Sequence, residues 1–419
     1  MFNVIQSPKQ INDSTLALPV RLLEKGMFVC RLDRPWLGTP FLMQGFLLQS
    51  GEDIATLQNL CEFVYVDTHK SIYTFKQKKK TTLFKKPSKA FASEIPASID
   101  RDLAKTGLRT VLPVYTESIK SLRTCYKQFS IHQEFDAKKL TSQVEHCLDS
   151  ILQNTSAMSW LSRVKSHQNY GFEHAMHVSI LAMVFAVHCG WTRAEAKTAG
   201  LAGLLFDIGN IKIPQAILNK PGPLTESEWQ LIQSHPKWTR YFLEKSGFDQ
   251  AVVEAGYYHH ERADGNGYPA RRLSSHTNQY ARLIHILDAF DAMTSFRPYA
   301  EQRTVFEACR ILYRGRGSDF DSYLVDQFIA MMGTYPIGTL VELSSGEVGV
   351  VIGQNNNARL LPKLSIIRDQ NKNEMPETIV NLRNVVDKQG NPRVRIKTML
   401  HDGSYGVFMH DYTRQLLTS

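Results

Sequence analysis

Short alternating stretches open the chain. Between Ala17 and Asp67, runs such as Gly26-Met27-Phe28-Val29-Cys30 and Phe63-Val64-Tyr65-Val66-Asp67 read as strands. Asp53 to Cys61 carries helical spacing, and Gly and Pro punctuate the middle. This pattern predicts a small α+β domain over residues 1–75. From about Ser98 to Met332 apolar residues recur every three or four positions, as at Val144, Leu148 and Ile151 or Ile180, Val184 and Val187, which predicts helices throughout. Within that region the expected elements are an amphipathic helix from Tyr170 to His188, a helix end over Gly203–Gly209, a helical run from Glu228 to Lys245, and a helix ending at Tyr258-His259-His260. After Pro336, Thr339–Leu343 and Val348–Ile352 flank Ser344-Ser345-Gly346 and read as a hairpin. The expected fold class is multidomain and mainly α. Its parts are residues 1–75, a linker over 76–97, a helical connector over 98–155, an all-α bundle over 156–333 and a small β-rich appendix over 334–419.

Composition narrows the class. At 419 residues, 43% hydrophobic and with a mean hydropathy of −0.26, the chain can bury several cores. The longest apolar stretch, Ile180 to Trp191, is interrupted by His188 and falls short of a membrane span, and Met1–Lys9 lacks the basic and apolar regions of a leader, so a cytoplasmic protein is expected. Cysteines 30, 61, 125, 147, 189 and 309 are dispersed with no CxxC pair, which argues against a zinc ribbon or disulfide framework. The net charge of +9 allows an anionic partner. Much of it sits in one stretch, however, where Lys76, Lys78, Lys79, Lys80, Lys85, Lys86 and Lys89 surround Pro87-Ser88. A solvated linker explains that stretch better than a nucleic-acid arm, because no regularly spaced aromatics accompany it.

The chemistry-bearing residues are His174, Asp207, His235, the pair His259-His260, and Asp288, each on a helix or at its end. Imidazole and carboxylate together suit divalent transition metals, and a carboxylate can bridge two ions. A buried Asp in the apolar segment Leu204–Gly209 needs a metal or donors to offset its desolvation. His259-His260-Glu261-Arg262 leads into Ala263-Asp264-Gly265-Asn266-Gly267-Tyr268-Pro269, a turn dictated by Gly and Pro.

From Tyr170 to Tyr299 these signatures, in order, resemble the HD-GYP family, a branch of the HD phosphohydrolases associated with hydrolysis of cyclic di-GMP. They include Leu204 to Pro214, Lys220-Pro221-Gly222-Pro223-Leu224-Thr225 with Glu228, His235-Pro236, the Gly267-Tyr268-Pro269 loop, and Asp288 to Met293 with Arg297-Pro298-Tyr299. Leu23–Val29, Trp36-Leu37, Pro40-Phe41 and Val64–Asp67 resemble an uncharacterised module often found before HD-GYP domains. The resemblance implies a helical bundle holding iron or manganese, one to two ions here. His174, Asp207, His235, His259, His260 and Asp288 would be ligands, with Asp207 bridging. Arg297 would lie near the phosphate, and Gly267, Tyr268 and Pro269 would border the substrate. It also implies cyclic di-GMP or a related cyclic dinucleotide as substrate and diguanylate cyclase (GGDEF) domains as interaction partners.

Three residues depart from the family pattern. Phe206 stands where the histidine of the HD dyad belongs, Asn210 where a lysine usually follows Ile-Gly, and Ala300 where a basic residue is common. Loss of an outer-shell partner alone lowers metal affinity or activity about 10- to 100-fold, so reduced turnover is expected. His177 lies about 60° round the helix from His174, which makes it a packing residue rather than a replacement ligand. His401-Asp402 and His410-Asp411 read as surface pairs. A metal-dependent phosphodiesterase and a non-catalytic nucleotide sensor or partner-binding module both fit this sequence.

Overall fold

The computed structural model describes residues 9–12, 15–33, 39, 41, 45–67, 70–71, 101–164, 170–295, 302–355, 358–387, 389–390 and 392–418. The Lys-rich stretch, Trp36-Leu37 and Arg297 to Ala300 lie outside the described residues. The chain divides into two compact units, residues 1–86 with 355–360, and residues 87–354 with 361–419.

The first unit is an antiparallel sheet with one helix. Strands β1 (Lys9–Asn12), β2 (Thr15–Pro19), β3 (Phe28–Leu32), β4 (Phe46–Leu47) and β5 (Phe63–Asp67) are ordered β1-β2-β5-β3-β4. Alternation on β5 turns Val64 and Val66 inward. On β3 the register shifts between Val29 and Arg31, so Val29 and Leu32 both reach the core despite their odd spacing. Helix α1 (Gly51–Leu60) starts in a capping box, Asp53 N–H donating to Ser50 Oγ at 3.1 Å and Ser50 N–H to Asp53 Oδ2 at 3.0 Å, and it buries Leu57.

The second unit is mainly helical, with α2 (Arg101–His132), α3 (Ala137–Gln153), α4 (Thr155–Leu161), α5 (Tyr170–His188), α6 (Arg193–Leu205) and α7 (Gln215–Leu218). Helices α8 (Glu226–Ile232), α9 (His235–Lys245), α10 (Gln250–Tyr258), α11 (Gln279–Thr294), α12 (Val305–Arg314) and α13 (Ser322–Met332) follow. Two sequence expectations are corrected. Helix α5 is not amphipathic: every residue from His174 to Val187 is buried, because other helices surround it. The run from Glu228 to Lys245 is two helices broken at Gln233-Ser234, since Pro236 has no N–H to give the Ile232 carbonyl and its ring disfavours a continuous helix. Helices α2 and α3 bury Leu108, Val111, Leu122, Leu140 and Leu148 in this same unit.

Strands β6 (Leu340–Leu343), β7 (Val348–Gly353), β8 (Lys363–Arg368), β9 (Glu374–Asn381) and β10 (Ile396–Met399) form a second antiparallel sheet, ordered β10-β6-β7-β8-β9. The expected hairpin is β6–β7, and the apolar run Val348–Ile352 makes β7 the buried central strand. A terminal helix α14 (Met409–Thr418) packs back on the bundle: Trp160 Nε1–H donates to Thr413 Oγ1 at 3.1 Å and Arg109 Nη2–H to the Leu417 carbonyl at 3.0 Å.

Candidate metal centre

Broken helix ends build the centre. The carbonyl of Ile232 that Pro236 cannot use accepts the Nδ1–H of His235 at 2.6 Å. At the end of α10 the Gly256 carbonyl accepts the Nδ1–H of His259 at 2.9 Å. Each carbonyl thereby fixes a tautomer and leaves Nε2 to face inward. The two Nε2 atoms confront each other at 3.2 Å, and Asp207 Oδ1 stands 3.2 Å from His235 Nε2 and 3.7 Å from His259 Nε2. Two lone pairs aimed at each other over that distance repel unless a proton or a cation lies between them.

Asp207 follows α6 and opens a 3-10 turn over Ile208–Lys212. Gly209 lets that turn touch α9, because a Cβ there would sit 2.0 Å from the His235 carbonyl oxygen. Thr239 locks the approach, its hydroxyl donating to the Phe206 carbonyl and accepting from Gly209 N–H, both at 3.0 Å. Among the described residues Asp207, His235, His259 and His260 offer ligand atoms within 4.8 Å of one another. Donors about 2 Å from one shared ion stand at most about 4 Å apart, so a slight contraction of this cluster would seat one, and the imidazole–carboxylate set suits zinc, iron or manganese.

Electrostatics favours the ligand forms of Asp207, His259 and His260, whereas burial lowers the His235 imidazole but the hydrogen bond and charge of Asp207 outweigh it and raise it. Burial pushes the His259 imidazole down to about 4, with His235 adding to the effect. Burial, His259 and His235 hold His260 well below its ordinary value. Burial raises the Asp207 carboxyl, but the hydrogen bond and charge of His235 outweigh it and keep Asp207 ionised well below the usual carboxylate range.

The other half is arranged differently. His174 Nδ1 lies 2.7 Å from Asp291 Oδ2 and its Nε2 lies 3.1 Å from Asp288 Oδ1. Burial lowers this imidazole's pKa, yet the two carboxylates outweigh burial and raise it to about 9. Between the halves sits Phe206. Its ring is fully buried and meets His174 edge-on at 5.6 Å and His259 at 5.0 Å between centroids.

The loop beside the centre is clamped. Buried Glu261 accepts the N–H groups of Ala270 at 2.7 Å and Arg272 at 2.9 Å. Gly267 is obligatory there, since a Cβ would lie 2.4 Å from the His260 carbonyl oxygen. Tyr268 then stacks on His260 at 4.6 Å, with Trp229 edge-on to it at 6.0 Å.

Sequence reasoning therefore named residues that converge as one cluster, Asp207, His235, His259 and His260, and a pair, His174 with Asp288, held apart by Phe206. It gave no role to Asp291, Glu261 or Thr239. Asp291 was legible as one helical turn beyond Asp288; the other two depend on contacts between distant segments. His401 lies 3.9 Å from Glu307 of α12 and His410 lies 3.5 Å from Asp411, and all four side chains are exposed.

The helical bundle with its imidazole–carboxylate cluster is of the HD class, and the family model described as HD domain matches residues 156–324. A model of a domain of unknown function, DUF3391, matches residues 15–140. The cyclic di-GMP phosphodiesterase PA4108 of Pseudomonas aeruginosa is 31% identical over 369 residues, covering 87% of this chain and 88% of that protein. The 3'3'-cGAMP-specific phosphodiesterase 1 of Vibrio cholerae is 35% identical over 156 residues, 37% of this chain and 36% of that protein. Among solved structures, the HDG"Y"P protein Bd1817 of Bdellovibrio bacteriovorus aligns with a TM-score of 0.41 at 16% identity, over 76% of this chain and 99% of that one. This chain belongs to the HD-GYP family. Among the described residues no helix is long and apolar enough to cross a membrane.

Proposed function

We propose that this protein is a cytoplasmic, metal-dependent phosphodiesterase that opens cyclic di-GMP at a rate reduced by Phe206. The observation that carries this reading is the convergence of Asp207, His235, His259 and His260, with the tautomers of His235 and His259 already set. These four residues would hold an iron or manganese ion. Such an ion supplies Lewis acidity, polarising a phosphoryl oxygen and acidifying water.

The chain's own residues do the rest. The Ile232 and Gly256 carbonyls keep both Nε2 lone pairs turned inward, so little reorganisation is needed on loading. His174 and Asp288 form the far wall, where a second ion is disfavoured because Phe206 offers no nitrogen and His174 is already paired with Asp288 and Asp291. Tyr268 presents a neutral phenol beside the cluster: burial, with Asp207 and Asp288, raises it above its usual range. Gly267, Tyr268 and Pro269 would border the dinucleotide, and Arg297 would bind its phosphate through a planar fork of donors.

The test is turnover of cyclic di-GMP by anaerobically prepared protein with iron or manganese, with Asp207→Ala as the blank. Hydrolysis that disappears in the variant supports the assignment, and hydrolysis equal in both contradicts it. The buried ring of Phe206 favours a second reading, a module that binds the nucleotide, or a diguanylate cyclase domain through the Gly267-Tyr268-Pro269 loop, without cleaving. Retained nucleotide binding with no turnover in any metal would establish that one.

A further inference from the structure

A chain of polar side chains, half-buried at Tyr115 and buried at His177 and Asp291, runs from α2 to the far wall of the centre. On α5, His177 is one turn beyond His174 and only 1% exposed. Its Nε2 lies 3.0 Å from the hydroxyl of Tyr115 on α2, and the two rings stack at 8°. Its Nδ1 faces Asp291 Oδ1 at 3.6 Å, an electrostatic contact longer than a full hydrogen bond. The other oxygen of Asp291, also 1% exposed, holds His174 Nδ1 at 2.7 Å and accepts from Ser295 Oγ at 3.2 Å.

We propose that Tyr115 and His177 are positioning residues of the site: the Tyr115 hydroxyl donates to His177 Nε2, directing His177 Nδ1–H at Asp291, and the carboxylate so held fixes the ring of His174. Burial, with Glu173 and Asp291 nearby, raises the Tyr115 phenol, so its oxygen keeps the proton it donates. With Nε2 accepting, the proton of a neutral His177 belongs on Nδ1, the atom that faces Asp291. Partners of this kind orient a ligating imidazole in many metal sites.

The consequence crosses a boundary. Tyr115 lies in residues 15–140, which match the domain of unknown function, whereas His174, His177 and Asp291 lie in 156–324, which match the HD domain. Part of the module without assigned chemistry thus supplies the outermost member of the site's hydrogen-bonded shell. The consequence for turnover rests on the phosphodiesterase reading; the positioning itself does not.

The experiment is ¹⁵N-imidazole NMR of the full-length protein without metal, with His174 and His177 assigned through His174→Gln and His177→Gln. Tyr115→Phe keeps the ring and removes only the donor. It is expected to shift the His177 Nε2 resonance and to speed exchange of the His174 Nδ1–H roughly 5- to 10-fold, the effect of losing one ordinary hydrogen bond. Ser118→Ala is the control on the same helix: its buried hydroxyl bonds Cys147 Sγ at 3.1 Å rather than His177, and the His174 proton should not respond. Unchanged spectra in Tyr115→Phe, or an equal acceleration in Ser118→Ala, would overturn the positioning role. In turnover, Tyr115→Phe should lower kcat with KM unchanged. Absent turnover in the unmutated protein overturns only the phosphodiesterase reading, because the spectra need neither metal nor substrate.

Discussion

The two halves of the centre use the same residue types and hold their ring nitrogens differently. In one, Asp207 meets imidazoles whose Nδ1–H groups are already given to helix-end carbonyls, so their free nitrogens point at one another. In the other, His174 is bracketed by Asp288 and Asp291, and its positive charge is neutralised within the protein. The first arrangement needs a cation or proton between its facing nitrogens, whereas in the second each ring nitrogen of His174 already has a carboxylate beside it. A histidine and an aspartate therefore do not make a metal site by themselves: what matters is which groups take the other ring nitrogen.

Asp207→Ala should break the comparison most completely. It removes the carboxylate that opposes His235, and metal content and turnover should both fall by more than the ~100-fold that an outer-shell loss causes. Metal analysis after purification checks it, and the helical circular dichroism should persist.

The charge state of the far half can be read from pH. His174 is raised from 6.5 to about 9, so its stabilising charge is fully present below 6.5 and is lost as pH rises through about 9. In chelator-treated protein the unfolding free energy should drop by up to about 3 kcal/mol across that window, and His174→Gln should flatten the profile. A profile with the same slope in the variant would show that His174 is not the titrating group.

Phe206→His with Asn210→Lys should sharpen the contrast by converting the far half. The new imidazole would face both His174 and His259, and affinity for a second ion should rise about 10- to 100-fold, measured by titration with manganese. If neither metal content nor turnover moves, Phe206 is not the defect.

Glu261→Gln should have the smallest effect and leave the metal alone. It weakens charge-assisted bonds from Ala270 and Arg272 that pin the loop, for a loss of about 1–2 kcal/mol in thermal stability. KM for cyclic di-GMP should rise more than kcat falls, with metal content unchanged.

Much of this was legible in the chain. Helical and alternating periods placed the helices and the β6–β7 hairpin, and the resemblance to HD-GYP signatures named as ligands the residues that converge at Asp207. What the chain concealed follows from physics that periodicity does not carry. Pro236 was visible, but its consequence, a freed Ile232 carbonyl that fixes His235, appears only when α8 and α9 are seen to separate. The apolar repeat of α5 read as one buried face, whereas neighbours cover it all round. His177 read as a packing residue from its angle to His174 on the helix, and Tyr115 and Asp291, which approach it, are far away in sequence.

The most direct measurement is the number of tightly bound ions per chain in protein loaded anaerobically with manganese, beside the Phe206→His/Asn210→Lys variant. One ion in the natural protein and two in the variant are expected, with turnover rising alongside. Two ions in the natural protein, or none in either, would contradict a single prebuilt site held by Asp207, His235, His259 and His260.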